Sequence, residues 1–566
     1  MKVVILDGYV DEPAGLGVPP YLDVYPRYVA GAIWCLKPQA DILYFTVDEA
    51  RRNVDVFLKN AGKADMVVFI AGVVVPGKYL GGEPIRKEEL LLWSKLLEKP
   101  VKILGGPVAR FGMGEEGGRI AISPHVFKDY FDVVVEGDLE IVIYELVKEK
   151  MRIEHVNPRA RRSNYLEIAK FAEKGARIVT QHPNYNYNLT VEIETFRGCP
   201  RHIVGGCSFC IEPQYGKVMF RSINEIIREI EILYKYGVRH FRLGRQPDFF
   251  IYMAKDANET EFPKPNPQAI KTLLKGIRAV APKIETLHID NVNPGTVYHH
   301  KKEAIEITKT LIKYHTPGDV AAMGIESADP KVIKLNRLKV MPEEAFEAIK
   351  LINEYGAKRG WNGLPELLPG LNFVAGLIGE TLETYESNFE FLKKILSSGL
   401  MVRRINLRQV LPLPNTRMWL VGDKIIRNNK KYFKKFKEKV RKLIDLPMLK
   451  RVVPAGTILR NLYTETYEGK NTLARQCGSY PLLVYIPDIL PLKKKLDVIV
   501  VDHGYRSVTA IPYPLNVNTA SRRLLLHVPY LSRSDIQKIL LNRPVKSVEL
   551  LEKILSNKKA LNFLKI

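Results

Sequence analysis

The order of apolar and polar positions in residues 1–150 predicts a parallel sheet covered by helices. The apolar runs are KVVILDGY, ILYFTV, DMVVFIAGVVV, VKILGGPV and DVVVEGD, and amphipathic stretches separate them. Near-continuous runs of Val, Ile and Leu are typical of parallel strands that are buried on both faces. We therefore predict a doubly wound α/β sheet. In such a sheet the ligand crevice lies at the carboxyl ends of the strands, here near Asp7, Gly105, Gly106, Glu136, Gly137 and Asp138.

The alternation of strands and helices resumes at residue 191, after a polar connecting segment over residues 151–190. The predicted strands of residues 191–422 are VEIETF, HFRLGRQ, TLHIDNV, VAAMGIES, LNFVAGLIG and INLRQVLP. Six such repeats favour a partial (βα)₆ barrel over a second open sheet.

Three further segments differ in character from the barrel. Residues 423–451 are strongly basic and predict a helix. Residues 452–513 contain short β-rich runs broken by Gly and Pro, which predict a small barrel. Residues 514–566 are helical, and the capping candidates are Asn518, Thr519 and Ser521 for the first helix and Ser532 or Ser534 for the second.

The composition is that of a folded chain with several domains: 566 residues, of which 46% are hydrophobic and 26% charged. Lys and Arg exceed Asp and Glu by 86 − 62 = 24, which favours a polyanion partner, nucleic acid first. A basic but solvated surface is the alternative. No apolar run is long enough for a membrane span, and the start does not resemble a secretory signal, so we expect a cytoplasmic protein.

Three of the five cysteines fall within the segment TFRGCPRHIVGGCSFCIEP, as Cys199, Cys207 and Cys210. Thiolates are the ligands that iron–sulfur clusters require, and three protein ligands leave one iron of a 4Fe–4S cluster open. Gly205 and Gly206 suit a loop that wraps a bulky inorganic group. Two alternatives stay open at this point: a structural zinc site completed by His202, and cysteines buried as small hydrophobic residues.

This segment resembles the cluster loop of the radical S-adenosylmethionine superfamily. The resemblance implies a 4Fe–4S cluster held by Cys199, Cys207 and Cys210, with S-adenosylmethionine at the open iron and Phe209 beside its adenine. The family usually has three residues between the first two cysteines, whereas this chain has seven, so we expect a loop of different shape.

Four later segments resemble the motifs of the same superfamily in order: LGRQPD at the second strand, GIESADPKVIKLNR at the fourth, NFVAGLIGETLETY at the fifth and INLRQVLPLPNTRMW at the sixth. In relatives, the second-strand segment binds the methionine amino group and the fifth-strand glycines let the backbone close on the adenosyl group. The cofactor contacts that the resemblance implies are Gly244, Gln246, Asp248, Glu326, Ser327, Gly376, Gly379 and Arg408.

The flanking domains resemble two modules that accompany this barrel. LGGPVARFG and VVEGDLE are similar to turns of cobalamin-binding-type domains, but the Asp-x-His-x-x-Gly segment of many relatives is missing, so we do not expect cobalamin. Residues 452–513 resemble the TRAM-like oligonucleotide-fold module of tRNA-modifying enzymes, and a small packing domain is the alternative. The nucleic-acid contacts that we expect are Arg475, His503 and Arg506 in this module, and Lys434 and Lys435 in the basic helix. Tyr432, Phe433 and Phe436 of that helix are expected to pack.

The tail NVNTASRRLLLHVPYLSRSDIQKILLNRP resembles a helix-hairpin-helix motif, without the glycine that phosphate binding uses in that motif. A structural or partner-docking role is therefore an equal alternative for the tail.

The domain order is similar to that of the radical S-adenosylmethionine subunits of archaeosine synthases. This resemblance implies C–N bond cleavage in a lysine adduct of 7-cyano-7-deazaguanine in tRNA, a partner related to tRNA-guanine transglycosylase, and an electron donor such as ferredoxin. One alternative is a tRNA methylthiotransferase, although those enzymes hold a second cluster on three N-terminal cysteines and only Cys35 precedes the barrel here. A second alternative is a non-catalytic zinc and RNA-binding protein.

Overall fold

The computed structural model describes residues 1–12, 15–16, 18–73 and 80–566. In its N-terminal part, Val3 and Ile5 join one apolar cluster while Val4 and Leu6 join another, so helices cover both faces of the first strand. The sheet is parallel, as predicted, and its strands in spatial order are Asp41–Thr46, Lys2–Asp7, Met66–Ile70, Val101–Gly105 and Val133–Val134. The helices around it are Val24–Leu36, Val47–Arg52, Val54–Ala61, Lys87–Leu96, Pro107–Phe111 and Leu139–Lys148.

The connecting segment is more ordered than its polar sequence predicts. It forms the helix Leu166–Gly175, which buries Ile168, Phe171 and Ala172 against the helix Val24–Leu36. The segment therefore adds a helix to the packing of the N-terminal unit.

Six parallel strands form the partial barrel and fall into two sheets, which a single bridge between Asn291 and Ala322 connects. One added strand, Tyr21–Leu22 of the N-terminal unit, pairs with the first strand and extends the sheet there. The barrel strands are Thr190–Glu194, His240–Gly244, Thr286–Ile289, Asp319–Glu326, Leu367–Ala375 and Arg404–Gln409.

The barrel helices begin where the sequence supplies capping residues. Ser222 accepts a hydrogen bond from the Glu225 amide at 3.3 Å, and Glu225 accepts one from the Ser222 amide at 3.1 Å, which is a capping box. The helices of the barrel are Ile223–Lys235, Pro267–Val280, Pro294–His299, Lys301–Tyr314, Pro330–Asn336, Pro342–Gly356 and Leu382–Ser397.

The basic segment forms the helix Lys424–Val440, one turn of π-helix and the helix Leu446–Val452. Its aromatic residues pack, as predicted: Phe436 is buried with its ring 5.5 Å from that of Tyr385, and Tyr432 and Phe433 are partly buried against the same core.

The small barrel is closed and has five strands, as the short β-rich runs predict. It packs against the amino ends of the first three strands of the large barrel. There Tyr187 donates a hydrogen bond to the Thr464 carbonyl at 2.6 Å, and Lys495 pairs with Glu285 at 2.6 Å. The strands are Ile458–Glu468, Asn471–Gln476, Leu483–Ile486, Lys495–His503 and Ser507–Pro512.

The C-terminal segment differs in part from the predicted hairpin of helices. Ser521 and Ser532 cap their helices, whereas Asn518 bonds to both backbone groups of Val545. The first helix has only four residues, so the pair of helices is shorter than the resemblance implies. The elements are Leu515–Asn516, Arg522–Leu525, Arg533–Leu541, Val548–Ile554 and Leu564–Lys565. In the described parts of the chain, no helix has the length and apolarity to cross a membrane.

Candidate active site

The cysteine loop follows the first barrel strand and lies at the carboxyl ends of the strands. Between Cys199 and Cys207, residues Pro200–Val204 form a 3₁₀-helix. Gly205 and Gly206 then adopt φ angles of +80° and +67°, a conformation that favours glycine. This helical turn and the two glycines thus accommodate the seven residues between Cys199 and Cys207.

Asn336, which the sequence analysis did not single out, holds this loop against two others. Ser208 donates a hydrogen bond to its side-chain oxygen at 2.6 Å, and so does the Ile378 amide at 3.1 Å. Arg201 and Arg337 add bonds to backbone carbonyls across the same junction. The loops after the first, fourth and fifth strands therefore form one rigid unit. Asn336 is the second-last residue of the motif GIESADPKVIKLNR, and this position in the motif is the signal that the sequence offers.

The three thiols lie close enough for their charges to act on one another. Burial, followed by the neighbouring Cys207, raises the pKa of Cys210 well above its usual range. Burial also raises the pKa of Cys199 to about 12, and Cys207 contributes. Buried thiols of this kind ionise when a metal compensates their charge, so the donor set fits a cationic cluster.

The spacing of the thiols also bears on which metal centre they fit. In the part of the chain that the structure describes, no three His, Cys, Asp or Glu side chains converge tightly enough for one metal ion. A 4Fe–4S cluster binds each thiolate at a separate iron, whereas the zinc alternative needs its ligands around one ion. The His202 ring nitrogen contacts the Cys199 carbonyl at 2.9 Å.

Lys339 is the second site residue that the sequence analysis missed. Its ammonium group lies 3.9 Å from Glu326, and its pKa is raised by Glu326 and then by the three cysteines, against the effect of burial. Burial raises the pKa of Glu326, while Lys339 and then Arg408 lower it. A single Lys among 86 basic residues gives no signal in the sequence.

The two fifth-strand glycines are required by protein packing. Gly376 and Gly379 have φ angles of +92° and +84°. A Cβ on Gly376 would lie 2.3 Å from Ile426 of the basic helix, and one on Gly379 would lie 2.4 Å from Leu335. Side chains fill the space beside both glycines, and the backbone contact with an adenosyl group stays a prediction.

The predicted contacts at the second strand have partners within the protein. Gln246 accepts a hydrogen bond from Thr195 and donates one to the Leu243 carbonyl, both at 3.0 Å. Asp248 accepts one from Thr296 at 2.7 Å, and burial raises its pKa to about 6.

Two other predicted cofactor contacts also have close protein neighbours. A Cβ on Gly244 would lie 2.0 Å from Glu192. Ser327 is buried and accepts a hydrogen bond from the Asp329 amide at 3.2 Å. Phe209 is partly buried beside Cys207 and Cys210 in an apolar cluster with Val332 and Leu377.

The predicted nucleic-acid contacts of the small barrel separate into two groups. Arg475 pairs with Glu465 at 2.5 Å, donates a hydrogen bond to the Leu80 carbonyl at 2.9 Å and is 13% exposed. His503 contacts the Val453 carbonyl at 2.6 Å. Arg506 lies at the mouth of a cavity. Lys434 and Lys435 are exposed on the basic helix.

Protein groups occupy the predicted crevice of the N-terminal sheet at the described residues. Tyr44 donates a hydrogen bond to Asp7 at 2.7 Å, Asp138 pairs with Arg162 and Arg197, and Arg159 pairs with Glu136 at 2.9 Å. Added Cβ atoms on Gly105, Gly106 and Gly137 would meet Leu139, Ala71 and Ala160.

Comparisons with known proteins identify relatives of the barrel and of the whole chain. Residues 193–392 match the model of the Radical SAM superfamily. Uncharacterized protein MJ0274 of Methanocaldococcus jannaschii is 48% identical over 515 residues, which are 90% of this chain and 92% of MJ0274.

Two more distant relatives have named activities. Ribosomal protein uS12 methylthiotransferase RimO of Thermotoga maritima is 24% identical over 280 residues, 47% of this chain and 57% of RimO. The tRNA-2-methylthio-N(6)-dimethylallyladenosine synthase of Buchnera aphidicola is 26% identical over 309 residues, 54% of this chain and 61% of that enzyme. The chain therefore contains a Radical SAM superfamily domain over residues 193–392 and belongs to the same family as MJ0274.

Proposed function

We propose that this chain is a radical S-adenosylmethionine enzyme that modifies tRNA, with its cluster on Cys199, Cys207 and Cys210. The observation that carries the proposal is the position of these thiols at the carboxyl ends of the barrel strands, beside Glu326 and Lys339. When bound, the cluster supplies the electron that cleaves S-adenosylmethionine to a 5′-deoxyadenosyl radical.

The chain itself holds the cysteine loop in position and excludes water from the site. Asn336 fixes the cysteine loop relative to the fourth and fifth strands. Phe209, Val332 and Leu377 form an apolar wall beside the cysteines, which excludes water from a reactive intermediate. In this proposal Lys339 offsets the negative charge of the thiolates and of Glu326, and it holds the carboxylate of the bound cofactor.

Two observations support tRNA as the substrate. The chain carries a net charge of +24, which favours a polyanion. One named relative is a tRNA-modifying synthase. The other, RimO, is named for a ribosomal protein, so a protein substrate is the outcome that the experiment must separate from tRNA.

The finer form of the proposal is the archaeosine step. The enzyme would cleave a C–N bond in the lysine adduct of 7-cyano-7-deazaguanine in tRNA and leave the formamidine. A partner related to tRNA-guanine transglycosylase would supply the adduct, and a ferredoxin would supply electrons. The domain order supports this form.

A methylthiotransferase is the second candidate, because both named relatives are methylthio enzymes by name. Cys35 is the only cysteine before the barrel, so the N-terminal part lacks three thiols for a second cluster. The archaeosine form does not need that cluster.

Mass spectrometry of tRNA nucleosides from a strain that lacks the gene tests the substrate. Loss of archaeosine with accumulation of its lysine-bearing precursor supports the finer form, and loss of a methylthio nucleoside supports the second candidate. An unchanged nucleoside profile would remove tRNA as the substrate. Formation of 5′-deoxyadenosine by the reduced, reconstituted protein tests the radical chemistry separately.

A further inference from the structure

A cavity of about 270 Å³ lies where the amino end of the sixth barrel strand meets the small barrel. The sixth strand, the helix Leu446–Val452 and the hairpin between the last two strands of the small barrel enclose it. Its polar lining consists of Arg403, Arg404, Asp445, Tyr480, Tyr505 and Arg506. The cavity is therefore separate from the cysteine site at the opposite ends of the strands.

The lining of the cavity carries an excess of positive charge. Arg403, Arg404 and Arg506 contribute three cations, and Asp445 is the one carboxylate among the lining residues. Asp445 already forms an ion pair with Arg441 behind it. Like charges held together in a partly buried site repel one another, and a bound anion relieves this repulsion.

Burial and neighbouring positive charges lower the pKa values of these arginines. Burial lowers the pKa of Arg403 to about 10, and Arg404 adds to the effect. Burial also lowers the pKa of Arg506 to about 10, followed by the charges of Arg404 and Arg441. With pKa values of about 10, Arg403 and Arg506 remain cations at neutral pH.

Neutral groups hold the guanidinium groups in place. Arg403 donates to the Tyr480 carbonyl at 3.0 Å, and its buried Nε has no hydrogen-bond partner among the residues that the structure describes. Arg404 lies 4.9 Å from the ring centre of Tyr480, and both Arg404 and Arg506 donate to the side chain of Asn406. The cations are thus positioned without being neutralised.

We propose that this cavity binds a phosphate group of the RNA substrate. Guanidinium groups match phosphate oxygens in geometry and stay charged. The cavity is smaller than pockets for drug-sized ligands, and Tyr505, 51% exposed, is available to stack on a base. The inference that the cavity binds phosphate depends only on the residues of the cavity. The inference that this phosphate belongs to RNA rests on the proposed function.

The position of the cavity connects it to the cysteine site. Arg404, Asn406 and Arg408 alternate along the sixth strand, so their side chains leave the same face. Arg404 and Arg408 are about 13 Å apart along the strand, and the charge of Arg408 reaches Glu326 beside the cysteines. A phosphate at Arg404 would anchor a substrate that extends along this row.

Binding of labelled, unfractionated tRNA to the full-length protein, measured by fluorescence anisotropy over a range of KCl, tests the RNA source. We expect Arg404→Gln and Arg506→Gln each to weaken binding roughly 5- to 10-fold and to reduce the slope against log salt by about one. Arg86→Gln removes the same charge from an exposed position on the N-terminal unit and should change affinity by less than about twofold.

Inorganic phosphate, substituted for chloride at constant ionic strength, tests the site itself. We expect it to raise the melting temperature of wild type and of Arg86→Gln, and not that of the two cavity variants. If the cavity variants lose the phosphate-induced rise in melting temperature but keep their affinity for tRNA, the cavity is a phosphate site whose ligand is not RNA. Cavity variants that behave like Arg86→Gln in both assays overturn the proposal.

These outcomes are independent of the nucleoside analysis, because neither assay requires turnover. Arg506 lies at the exposed rim of the cavity, so Arg506→Gln can still be used to test the proposal if Arg404→Gln does not fold.

Discussion

The two ends of the large barrel differ in the kind of chemistry that they can support. At the carboxyl ends, Cys207 and Cys210 lie among apolar side chains, and the Lys339 ammonium group lies 3.9 Å from the Glu326 carboxylate. At the amino end of the sixth strand, arginines and tyrosines meet the docked small barrel, and positive charge is in excess in the cavity there. One end is suited to a sheltered cofactor and the other to recognition of an anion.

The comparison also shows that the small barrel uses part of its surface to dock on the large barrel. Its loop at residues 477–481 is used for docking: Ser479 donates hydrogen bonds to His288 and to the Ile289 carbonyl, and Tyr480 donates to Asp290. Arg475 supports that interface from inside. In the proposed phosphate site, Arg506 and the arginines at the start of the sixth strand would bind the anion.

The largest expected effect is at the carboxyl end. Cys210→Ala removes one of three cluster ligands, so we expect 5′-deoxyadenosine formation by the reconstituted protein to fall roughly 100-fold or more, with loss of bound iron. Cys35→Ala, on the helix Val24–Leu36, is the matched control and should retain both iron and turnover. Full turnover by Cys210→Ala would remove the distinction between the two ends.

Lys339→Gln should have the next largest effect, because it leaves Glu326 and the thiolates without their nearby cation. We expect the KM for S-adenosylmethionine to rise about 10-fold, equivalent to 1.4 kcal/mol, with the iron content unchanged. Lys331→Gln, exposed at the start of a neighbouring helix, should leave the KM unchanged. A loss of iron as large as that of Cys210→Ala would show that Lys339 acts on the cluster loop and not on the cofactor.

The sequence predicted the fold better than the contacts of the site. The six barrel strands were predictable because each is a short apolar run between turn signals, and the cysteines were predictable because their ligand chemistry is local. The partners of Arg475, Gly376 and Gly379 were not, because Glu465, Ile426 and Leu335 come from other elements. Lys339 lies between two helices and belongs to no periodic pattern.

A smaller effect, on stability, is expected at the amino ends. His315 is buried between Asp319 at 3.1 Å and Glu366 at 3.4 Å, and these carboxylates raise its pKa against the effect of burial. A His with a raised folded pKa stabilises the protein below its unfolded pKa of about 6.5, and this contribution is lost as the pH rises through the folded value.

His315→Gln should therefore lower the free energy of unfolding by about 2 kcal/mol at pH 6. This loss is smaller than that expected for a fully buried ion pair, because Glu366 is partly exposed. The difference in the free energy of unfolding between His315→Gln and wild type should be smaller at pH 9 than at pH 6. Thermal unfolding at both pH values measures it, and His155→Gln, an exposed histidine, should show no such trend. A constant difference between pH 6 and pH 9 would mean that His315 is neutral.

The smallest effect is expected for the exposed lysines of the basic helix, which the sequence analysis named as RNA contacts. Lys434 and Lys435 project into solvent, where ions screen charges beyond about 8 Å at physiological salt. The Lys434→Gln, Lys435→Gln double variant should weaken tRNA binding less than about threefold, although it removes two charges and Arg506→Gln removes one. The same anisotropy titration measures both. If the double variant loses more affinity than Arg506→Gln, the basic helix is the main RNA surface, and recognition does not belong to the amino end of the barrel.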